Sequence, residues 1–355
     1  MTDGGQNADS IAARIASFID GANKTLDVAI YDLRLEDLPG TALLNSFQAA
    51  IKRGVAVRLM FNQDHALAIP EPPPPEIDWQ FVDQLRAAGI QIKPVPGIPD
   101  LMHHKYVVRD GADVLTGSTN WTNDSWNREE NVIVTIQSEE IARDYAINFE
   151  GLWDKPVVAL SGRVSSGWSQ LSDGTRIRPY FCPGRALKLV HAMSRSLASA
   201  EKRIRICSPV ITSGPILGTL AEMCQERKVD IAGVYDATQM DEVHRQWSSE
   251  AGAAWKIEAF RCITTSAPFG GKHSTPYAKG SVHDFMHAKI LVADDYVYAG
   301  SFNLSHSGES NAENVVQFEN AALADQCAAY IDQVAARYGA PPRTMGAGSP
   351  VGKVT

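Results

Sequence analysis

Apolar residues along the chain follow two periods, one typical of amphipathic helices and one typical of strands. IAARIASFIDGANKTLDVAIYDL predicts a helix and then a β-rich strand, and VAVRLMFN predicts another strand after a helical stretch. The second half repeats this order, with ALKLVHAMSRSLASAEKRIRICSPVI and VDIAGVYD as the counterparts. In each half a hairpin and a final helix follow. Alternating strands and helices favour an α/β fold.

The duplication is clearest around one segment in each half, LMHHKYVVRDGADVLTGSTNWT and FMHAKILVADDYVYAGSFNLS. His103 corresponds to His287 at an offset of 184 (287 − 103), whereas Asn120 corresponds to Asn303 at an offset of 183 (303 − 120). One residue is therefore missing from the turn of the second copy. The later segments NREENVIVT and NAENVVQFE continue the match at the offset of 183.

Each of these segments predicts a β-hairpin. In the first copy Tyr-Val-Val is typical of a strand, the Asp-Gly pair favours a tight turn, and Val-Leu-Thr-Gly-Ser returns. Side chains two residues apart share one face of a strand, so His103 and Lys105 point to one side and His104 to the other. Because the counterpart of His104 is Ala288, we assign the chemistry to His103 and a structural or rim position to His104.

The returning strand of each hairpin brings a serine and an asparagine back beside the histidine and lysine. Lysine and asparagine are donors suited to an anionic, oxygen-rich group such as phosphate. Histidine attacks as a nucleophile when neutral and donates a proton when charged. A phosphodiester displacement needs both functions, on opposite sides of phosphorus, so two clusters facing each other predict one site rather than two. The predicted catalytic residues are His103, Lys105, Asn120, His287, Lys289 and Asn303.

Further residues are expected to support this site. Glu130 and its counterpart Glu313 are interpreted as acceptors for imidazole N–H groups. Asp110 and Asp294 lie at the turns, and we expect them to hold the turn or a lysine rather than to donate protons. The complete predicted supporting set is Ser118, Glu130, Ser301, Glu313, Asp110 and Asp294.

Composition narrows the class of protein. The chain has 355 residues, of which 44% are hydrophobic and 21% charged, as is ordinary for a soluble globular protein. The net charge of −8 argues against a broadly basic nucleic-acid-binding surface, although a local basic cleft is compatible with it. The amino terminus does not read as a secretory signal, no apolar run is long enough to span a membrane, and the five cysteines are scattered. We therefore expect a cytoplasmic protein without a membrane span.

One segment, HDFMH, has the spacing of a zinc-binding helix. The first repeat carries Pro99 where His283 would align, and a strand follows directly, so a zinc site is disfavoured. Lysines and asparagines already offset the charge of a phosphate. We expect no metal and no other cofactor, and activity that survives a chelator.

The predicted organisation is a first repeat over residues 1–160, a linker over 161–184, a second repeat over 185–340 and a disordered tail over 341–355. The proline-rich stretch at 69–75 favours extended backbone, as a surface excursion or as a wall of the substrate cleft. We expect a monomer that acts as an internal dimer.

The pattern HxKxxxxD followed by GSxN, present twice, resembles the phospholipase D superfamily, and with the flanking α/β pattern the likeness covers roughly residues 8–338. The motif is most similar to the branch of bacterial nucleases and mitochondrial cardiolipin hydrolases, whose members usually carry one motif per chain and dimerise. The residues that fit are His103, Lys105, Asp110, Gly117, Ser118 and Asn120 in the first motif, and His287, Lys289, Asp294, Gly300, Ser301 and Asn303 in the second. The resemblance implies two repeats, each a mixed β-sheet flanked by helices, related by a pseudo-twofold axis with one active site between them.

The resemblance also implies a phosphodiesterase that forms a covalent phosphohistidine, with His103 favoured as nucleophile and the other histidine as general acid. A phospholipid head group is the favoured substrate, because the surface is acidic and the proline-rich insert is apolar. A metal-independent nuclease acting on DNA or RNA by the same chemistry is the alternative. Hydrolysis is favoured over transfer, since synthases of this superfamily often carry amino-terminal membrane helices. Two intact His-Lys pairs disfavour a phosphate-binding module without activity.

Overall fold

A computed structural model describes residues 7–63, 77–278 and 280–340. The proline-rich stretch at 69–75 and the tail at 341–355 lie outside the described residues, so the predictions made for them stay predictions. Within the described ranges, two large β-sheets are each flanked by helices, and a third sheet has only two strands. None of the helices in these ranges combines the length and hydropathy needed to cross a bilayer.

The first half alternates strands and helices in the predicted order. Its strands are β1 (Thr25–Ile30), β2 (Leu33–Arg34), β3 (Ala56–Asn62), β4 (Gln91–Val95), β5 (Lys105–Arg109), β6 (Asp113–Gly117), β7 (Trp121–Thr122) and β8 (Ile133–Gln137). Its helices are α1 (Ala8–Asp20), α2 (Asp37–Lys52), α3 (Trp79–Ala87), α4 (Asn123–Asn127) and α5 (Glu139–Asp154).

The second half begins after a short 3₁₀ helix at Val158–Leu160. Its strands are β9 (Ser169–Gln170), β10 (Arg176–Phe181), β11 (Arg203–Cys207), β12 (Asp230–Asp236), β13 (Phe269–Lys272), β14 (Ile290–Ala293), β15 (Tyr296–Gly300) and β16 (Asn314–Glu319). Its helices are α6 (Ala186–Ala198), α7 (Gly214–Glu226), α8 (Ala237–Ser249), α9 (Ala254–Ser266), α10 (His306–Ser310) and α11 (Ala321–Arg337).

Helix α1 illustrates how the sequence pattern produces an element. Asn7 caps it, because its side chain accepts a hydrogen bond from the backbone N–H of Ser10. Ile11, Ile15 and Ile19 recur at four-residue spacing and are all buried. The helix therefore packs one apolar face on the first sheet and leaves its polar face in solvent.

The two sheets share one strand order. The first runs β4-β3-β1-β5-β6-β8, and the second runs β13-β12-β11-β14-β15-β16 before continuing to β10 and β9. In each sheet the first three strands are parallel and the next are antiparallel, so both sheets are mixed. The prediction of two α/β repeats, each a mixed sheet flanked by helices, is confirmed.

The segment expected to be a linker contributes two strands to the second sheet. Strand β10 pairs antiparallel with β16, from Arg176 opposite Glu319 to Phe181 opposite Asn314. Strand β9 pairs with β10 on the side away from β16. The prediction of a plain linker at 161–184 is therefore wrong. Serines and glycines surround β10 and a proline lies within it, so the local sequence does not indicate a strand. The strand forms because it pairs with β16.

One hydrophobic cluster belongs to both repeats. Tyr145 of α5 in the first repeat packs edge-on against Phe181 of β10, with ring centroids 4.9 Å apart. Both side chains are fully buried, as are Phe149 of α5 and Ile331 of α11 in the same cluster. Removing these large apolar side chains from water is strongly favourable. The repeats are therefore joined by a shared core.

Candidate active site

The two motif histidines lie at the interface between the repeats, just before the first strand of each hairpin. The backbone N–H of His103 donates to the carbonyl oxygen of Ala312 (2.9 Å), and that of His287 donates to the carbonyl oxygen of Glu130 (3.1 Å). Each motif is thus hydrogen-bonded to the opposite repeat. The pairing repeats in both directions, as the expected pseudo-twofold relation requires.

The imidazole of His103 is held by a carboxylate from the second repeat. Its Nδ1 lies 2.8 and 2.9 Å from the two carboxylate oxygens of Glu313. An ionised carboxylate only accepts hydrogen bonds, which places the hydrogen on Nδ1 and leaves Nε2 for chemistry. Burial, Lys105 and Lys289 lower the pKa of His103 well below its ordinary value. Glu313 thus lies within hydrogen-bonding distance of the imidazole that it was expected to face.

The imidazole of His287 has a different partner. Its Nδ1 lies 3.0 Å from Oδ1 of Asn131 and 3.4 Å from a carboxylate oxygen of Glu129. Asn131 Nδ2 donates to Glu129 (3.2 Å), which turns the amide oxygen toward the imidazole. Burial, Lys289 and Lys105 lower the pKa of His287 well below its ordinary value, and burial raises that of Glu129 to about 7.

The prediction that Glu130 accepts an imidazole N–H is wrong. Its carboxylate binds Lys272 Nζ (2.7 Å) and the hydroxyl of Tyr338. The register of the sheet explains the difference, since Ser118 N–H donates to Val132 O just as Ser301 N–H donates to Asn314 O. Val132 and Asn314 are therefore equivalent, at an offset of 182 (314 − 132). A second residue is thus missing from the second copy.

It follows that Asn131, and not Glu130, is the structural counterpart of Glu313. The shared Glu-Asn pair in the two sequences favoured an alignment that is wrong by one residue. Backbone hydrogen bonds, rather than residue identity, fix which side chain points into the cleft.

Both motif lysines are buried in the cleft. Lys105 Nζ donates to the carbonyl oxygen of His103 (2.9 Å) and lies 4.7 Å from the ring centroid of Tyr31. Lys289 Nζ donates to the carbonyl oxygen of His287 (2.5 Å). Burial lowers the pKa of Lys105 to about 7 and that of Lys289 well below its usual range.

Burial also raises the pKa of Glu313 to about 8, against the opposing effects of Lys105 and Lys289. Lys105 and Glu313 therefore change charge close to neutral pH. An anionic phosphoryl group beside the lysines favours their protonated forms, and charged lysines in turn favour the ionised carboxylate. The site is arranged to gain positive charge when an anion binds.

The motif serines and asparagines complete both halves. Ser118 Oγ donates to Asn131 Oδ1 (2.7 Å), and Ser301 Oγ donates to Glu313 Oε2 (2.5 Å). Each serine thereby fixes the group that faces a histidine. In the described part of the chain, the side-chain oxygens of Asn120 and Asn303 are buried without a hydrogen-bond partner. Such an atom costs about 1–3 kcal/mol. Because an amide oxygen only accepts hydrogen bonds, the partner that each lacks is a donor, such as a hydroxyl group of a bound substrate.

The motif glycines permit a close approach of two backbones. A Cβ atom on Gly117 would lie 2.0 Å from the carbonyl oxygen of Val132, and one on Gly300 would lie 2.1 Å from that of Asn314. Neither neighbour can move, because each belongs to the backbone beside the adjoining strand. Any side chain at these positions would displace the groups that face the histidines.

The two motif aspartates lie at the opposite end of the hairpins from the cleft. Their carboxylates accept hydrogen bonds from three backbone N–H groups each, and both residues have positive φ. The donors are Asn23, Lys24 and Thr25 for Asp110, and Glu201, Lys202 and Arg203 for Asp294. Both aspartates anchor the loop before the central strand of their sheet.

His104 points away from the cleft into the shared core. Its ring is 0% exposed, its Nδ1 lies 3.3 Å from Asn314 Oδ1, and its Nε2 lies 3.0 Å from Asn148 Nδ2. Burial lowers its pKa to about 3, so it is neutral. The placement of His103 and His104 on opposite faces agrees with the alternation of side chains along a strand.

The residues that the structure describes include no group of three or more His, Cys, Asp or Glu side chains placed to hold a metal ion. His283 lies between two aromatic rings, with centroid distances of 5.3 Å to Tyr277 and 5.1 Å to Phe285. Its backbone N–H donates to Asp124 (3.0 Å).

Lys272 is the site residue that the sequence pattern did not reveal. It is the last residue of β13 and pairs with Asp236. Val95 has the equivalent position in the first sheet, where it pairs with Asn62. Its partner Glu130 corresponds to Ala312, because both lie one residue before the group that faces a histidine. The buried ion pair of Lys272 and Glu130 therefore has two apolar side chains, Val95 and Ala312, at its pseudo-symmetric position.

A family model described as "Cardiolipin synthase, PLD-like domain" matches residues 15–153 and again residues 193–335. The mitochondrial cardiolipin hydrolase of Xenopus laevis is 29% identical over 150 residues, which are 42% of this chain and 64% of that protein. The phospholipase D of Rickettsia conorii is 27% identical over 135 residues, or 38% of this chain and 60% of that protein. The chain thus spans less than two thirds of the curated relatives it matches.

Solved structures agree on the fold. The phosphatidylserine synthase of Haemophilus influenzae Rd KW20 has a TM-score of 0.67 at 14% identity, covering 94% of this chain and 85% of that one. The polyphosphate kinase of Porphyromonas gingivalis has a TM-score of 0.55 at 11% identity, covering 92% and 48%. Since the family matches fall on both repeats and together cover most of the chain, this protein belongs to the phospholipase D superfamily, within the family described as cardiolipin synthase, PLD-like domain.

Proposed function

We propose that this protein is a phosphodiesterase that hydrolyses its substrate through a covalent phosphohistidine. The observation that carries the proposal is the pairing of each motif histidine with a polar side chain of the opposite repeat. His103 faces the carboxylate of Glu313, and His287 faces the amide of Asn131. Both imidazoles thus present Nε2 to one cleft, beside two buried lysines.

In the first step Nε2 of His103 attacks phosphorus. A P–N bond forms while the bond from phosphorus to the leaving oxygen breaks. His287 enters this step as an imidazolium, its Nε2 gives its proton to the leaving oxygen, and the leaving group departs as an alcohol while His287 becomes neutral. Lys105 and Lys289 offset the negative charge on the other phosphoryl oxygens. In the second step water gives a proton to His287 and its oxygen bonds to phosphorus, and the P–N bond breaks with its electron pair returning to His103.

The different partners of the histidines support this division of roles. Formation of the P–N bond places positive charge on the attacking imidazole, and the carboxylate of Glu313 stabilises that charge directly. Asn131 is neutral, and the carboxylate of Glu129 lies farther from Nδ1 of His287, at 3.4 Å. We therefore assign His103 as nucleophile and His287 as general acid and then base.

A phospholipid head group is the proposed substrate class. The matched relatives are named as cardiolipin hydrolases and as a phospholipase D, and the chain carries a net charge of −8. A net negative charge disfavours binding of an extended nucleic acid across the surface as a whole. Cleavage of DNA or RNA by the same chemistry is the second candidate, because the cleft itself recognises only the phosphodiester. A cytoplasmic, monomeric enzyme that needs no metal remains our prediction.

The test is an assay of the purified protein in EDTA with three substrates, namely mixed phospholipids, single-stranded DNA and bis-p-nitrophenyl phosphate. The His103→Ala variant is the control for contaminating activity. We expect release of a phospholipid head group and cleavage of the nitrophenyl ester, both absent in the variant. DNA cleavage without lipid cleavage would establish the second candidate instead. Loss of all activity in EDTA with rescue by zinc or magnesium would contradict the metal-free chemistry.

A further inference from the structure

A basic pocket lies at the outer edge of the second sheet, away from the cleft. It has a volume of about 330 Å³ and lies between α6, β10 and the segment before β9. No Asp or Glu is among its lining residues in the described chain. The basic side chains that line it are Arg178, Arg185, Lys188, His191 and Arg195. Such a concentration of positive groups on a protein with a net charge of −8 calls for a binding partner.

The pocket is built on regular elements. Lys188, His191 and Arg195 are separated by three and four residues, so they share the solvent-exposed face of α6. Arg185 at the start of that helix donates through Nε to the carbonyl oxygen of Val164 (3.1 Å). This contact fixes the segment before β9 against α6. The basic groups are therefore held on one surface by the fold.

Arg178 forms the floor of this surface. Its guanidinium lies 4.7 Å from the ring centroid of Trp168 and 4.8 Å from that of Tyr180. Its Nη2 donates to Gln317 (2.9 Å), while its Nε is buried and has no hydrogen-bond partner among the described residues. A rigid arginine with an unpaired buried N–H is suited to an oxyanion such as a phosphate group.

Two carboxylates lie near the pocket without lining it. Glu319 pairs with Arg176 (2.5 Å), and Asp144 interacts with Ser166 and Arg143. Gln317, the partner of Arg178, is four residues from Glu313 along β16, or roughly 13 Å at the rise of a strand. The pocket is thus a separate surface with uncompensated positive charge.

Exposed apolar side chains adjoin the basic groups. Leu187, directly before Lys188 in α6, is 66% exposed, and Leu160 is 52% exposed. The segment that carries Leu160 is joined to the start of α6 by a hydrogen bond from Gly184 N–H to Ser161 O (3.2 Å). Cationic side chains interspersed with exposed leucines are typical of surfaces that lie on a membrane.

We propose that this surface, which we call the basic docking surface, binds the protein to an anionic phospholipid bilayer. Its members are Arg178, Arg185, Lys188, His191, Arg195, Leu187 and Leu160. The pocket takes the phosphate of a lipid head group, and the leucines enter the boundary of the acyl chains. A nucleic acid would pair with the basic groups but has no apolar phase for the leucines to enter. The bilayer is therefore the partner that matches both kinds of side chain. The proposal concerns attachment and does not depend on the chemistry of the cleft.

The experiment measures co-sedimentation of the full chain with phosphatidylcholine vesicles, with and without phosphatidylglycerol. The inactive His287→Ala background prevents any change of the lipid, so that attachment is measured apart from catalysis. We compare Lys188→Glu/Arg195→Glu with the matched control Lys52→Glu/Lys228→Glu, whose lysines are exposed on other elements. The first pair should weaken binding to the anionic vesicles by about tenfold or more, and the control should change it by no more than about twofold.

A second comparison separates the bilayer from a soluble polyanion. Leu187→Ser should weaken binding to the vesicles several-fold and leave binding to a single-stranded DNA oligonucleotide unchanged. Circular dichroism checks that each variant is folded, and Lys188→Gln/Arg195→Gln replaces the glutamate pair if that pair is not. The proposal is overturned if the protein does not sediment with anionic vesicles, if the two double variants behave alike, or if it binds only the oligonucleotide.

Discussion

At the scale of single residues, the two imidazoles of the cleft are not equivalent. Nδ1 of His103 contacts both oxygens of a buried carboxylate at 2.8 and 2.9 Å, whereas Nδ1 of His287 contacts an amide oxygen at 3.0 Å and a carboxylate oxygen of Glu129 only at 3.4 Å. A carboxylate stabilises positive charge on an imidazole far more than an amide does. Two histidines from equivalent motifs therefore have different tendencies to carry charge, which is what a nucleophile and an acid require.

Removing either imidazole should abolish turnover. We expect His103→Ala and His287→Ala each to lower kcat by about 10³-fold or more, since nucleophile and acid each contribute factors of this size. With a substrate that has a good leaving group, His287→Ala should retain labelled phosphoryl on His103. Near-normal turnover in both variants would mean that the two motifs do not form a shared site.

The neighbouring histidine provides the matched control. His104→Ala should keep kcat within about tenfold of the parent, because its ring lies in the shared core and not in the cleft. It should lower the free energy of unfolding by about 2–3 kcal/mol through a cavity and lost hydrogen bonds. Urea unfolding measures this loss, and a kcat as low as that of His103→Ala would contradict the assignment.

The pH dependence of kcat/KM should report Lys105. With a pKa of about 7, this lysine is charged below that pH and neutral above it. Since its charge attracts the phosphodiester, we expect kcat/KM to fall as pH rises through about 7. Lys105→Arg keeps the charge at every accessible pH. Its alkaline limb should therefore shift upward, even if its maximum is lower, and an unshifted limb would assign the titration to another group.

At the scale of elements, each hairpin is anchored at its turn by an aspartate. Asp294→Ala removes a carboxylate that accepts from three backbone N–H groups, and we expect it to cost about 1 kcal/mol, because the group is only partly buried. Backbone hydrogen bonds lower the pKa of Asp294 despite some burial. Its stabilising contribution is therefore present above the ordinary aspartate pKa and is lost as pH falls through the lowered value.

Urea unfolding of Asp294→Ala and its parent should thus differ at neutral pH and converge in acid. The kcat of the folded variant should stay within about twofold of the parent, since the turn lies at the far end of the hairpin. A large loss of kcat without loss of stability would instead place Asp294 in the chemistry.

The buried ion pair between Lys272 and Glu130 can be replaced by the two apolar residues found at its pseudo-symmetric position. Lys272→Met leaves Glu130 buried without its cation and should lower the free energy of unfolding by about 3–5 kcal/mol. Lys272→Val combined with Glu130→Ala installs the pair found at the pseudo-symmetric position, Val95 from the first repeat with Ala312 from the second. We expect the double variant to recover most of that loss in urea unfolding. A double variant less stable than Lys272→Met would show that the halves are not interchangeable.

The sequence could predict the hairpins and most of the cleft, because alternation and turn chemistry are local and the second copy repeats them. It could not predict that Asn131 replaces Glu130 beside His287. That assignment depends on the register of β8 and β16, which is set by hydrogen bonds across the sheet. Lys272 was missed for a similar reason, since its partner lies 142 residues away in the chain.

At the scale of the whole molecule, the shared core makes the repeats depend on each other. We expect residues 1–160 and 161–355, expressed separately, to be inactive and poorly folded, and to regain activity when expressed together. Both Tyr145 and Phe181 would otherwise be exposed. A cut at residue 184 should fail to reconstitute, because it separates β10 from its partner β16. Activity of either half alone would contradict the shared site.

The unlike partners of the two histidines also give the reaction a direction. In an assembly of two identical chains, both half-sites would be the same, and a diester could enter in either orientation with equal chance of reaction. Here the carboxylate of Glu313 faces His103, whereas the Lys272–Glu130 pair lies beside His287, whose backbone N–H donates to the carbonyl oxygen of Glu130. We therefore expect an asymmetric diester to react from one orientation, and fusion of the repeats into one chain to determine which of its two ester bonds is broken.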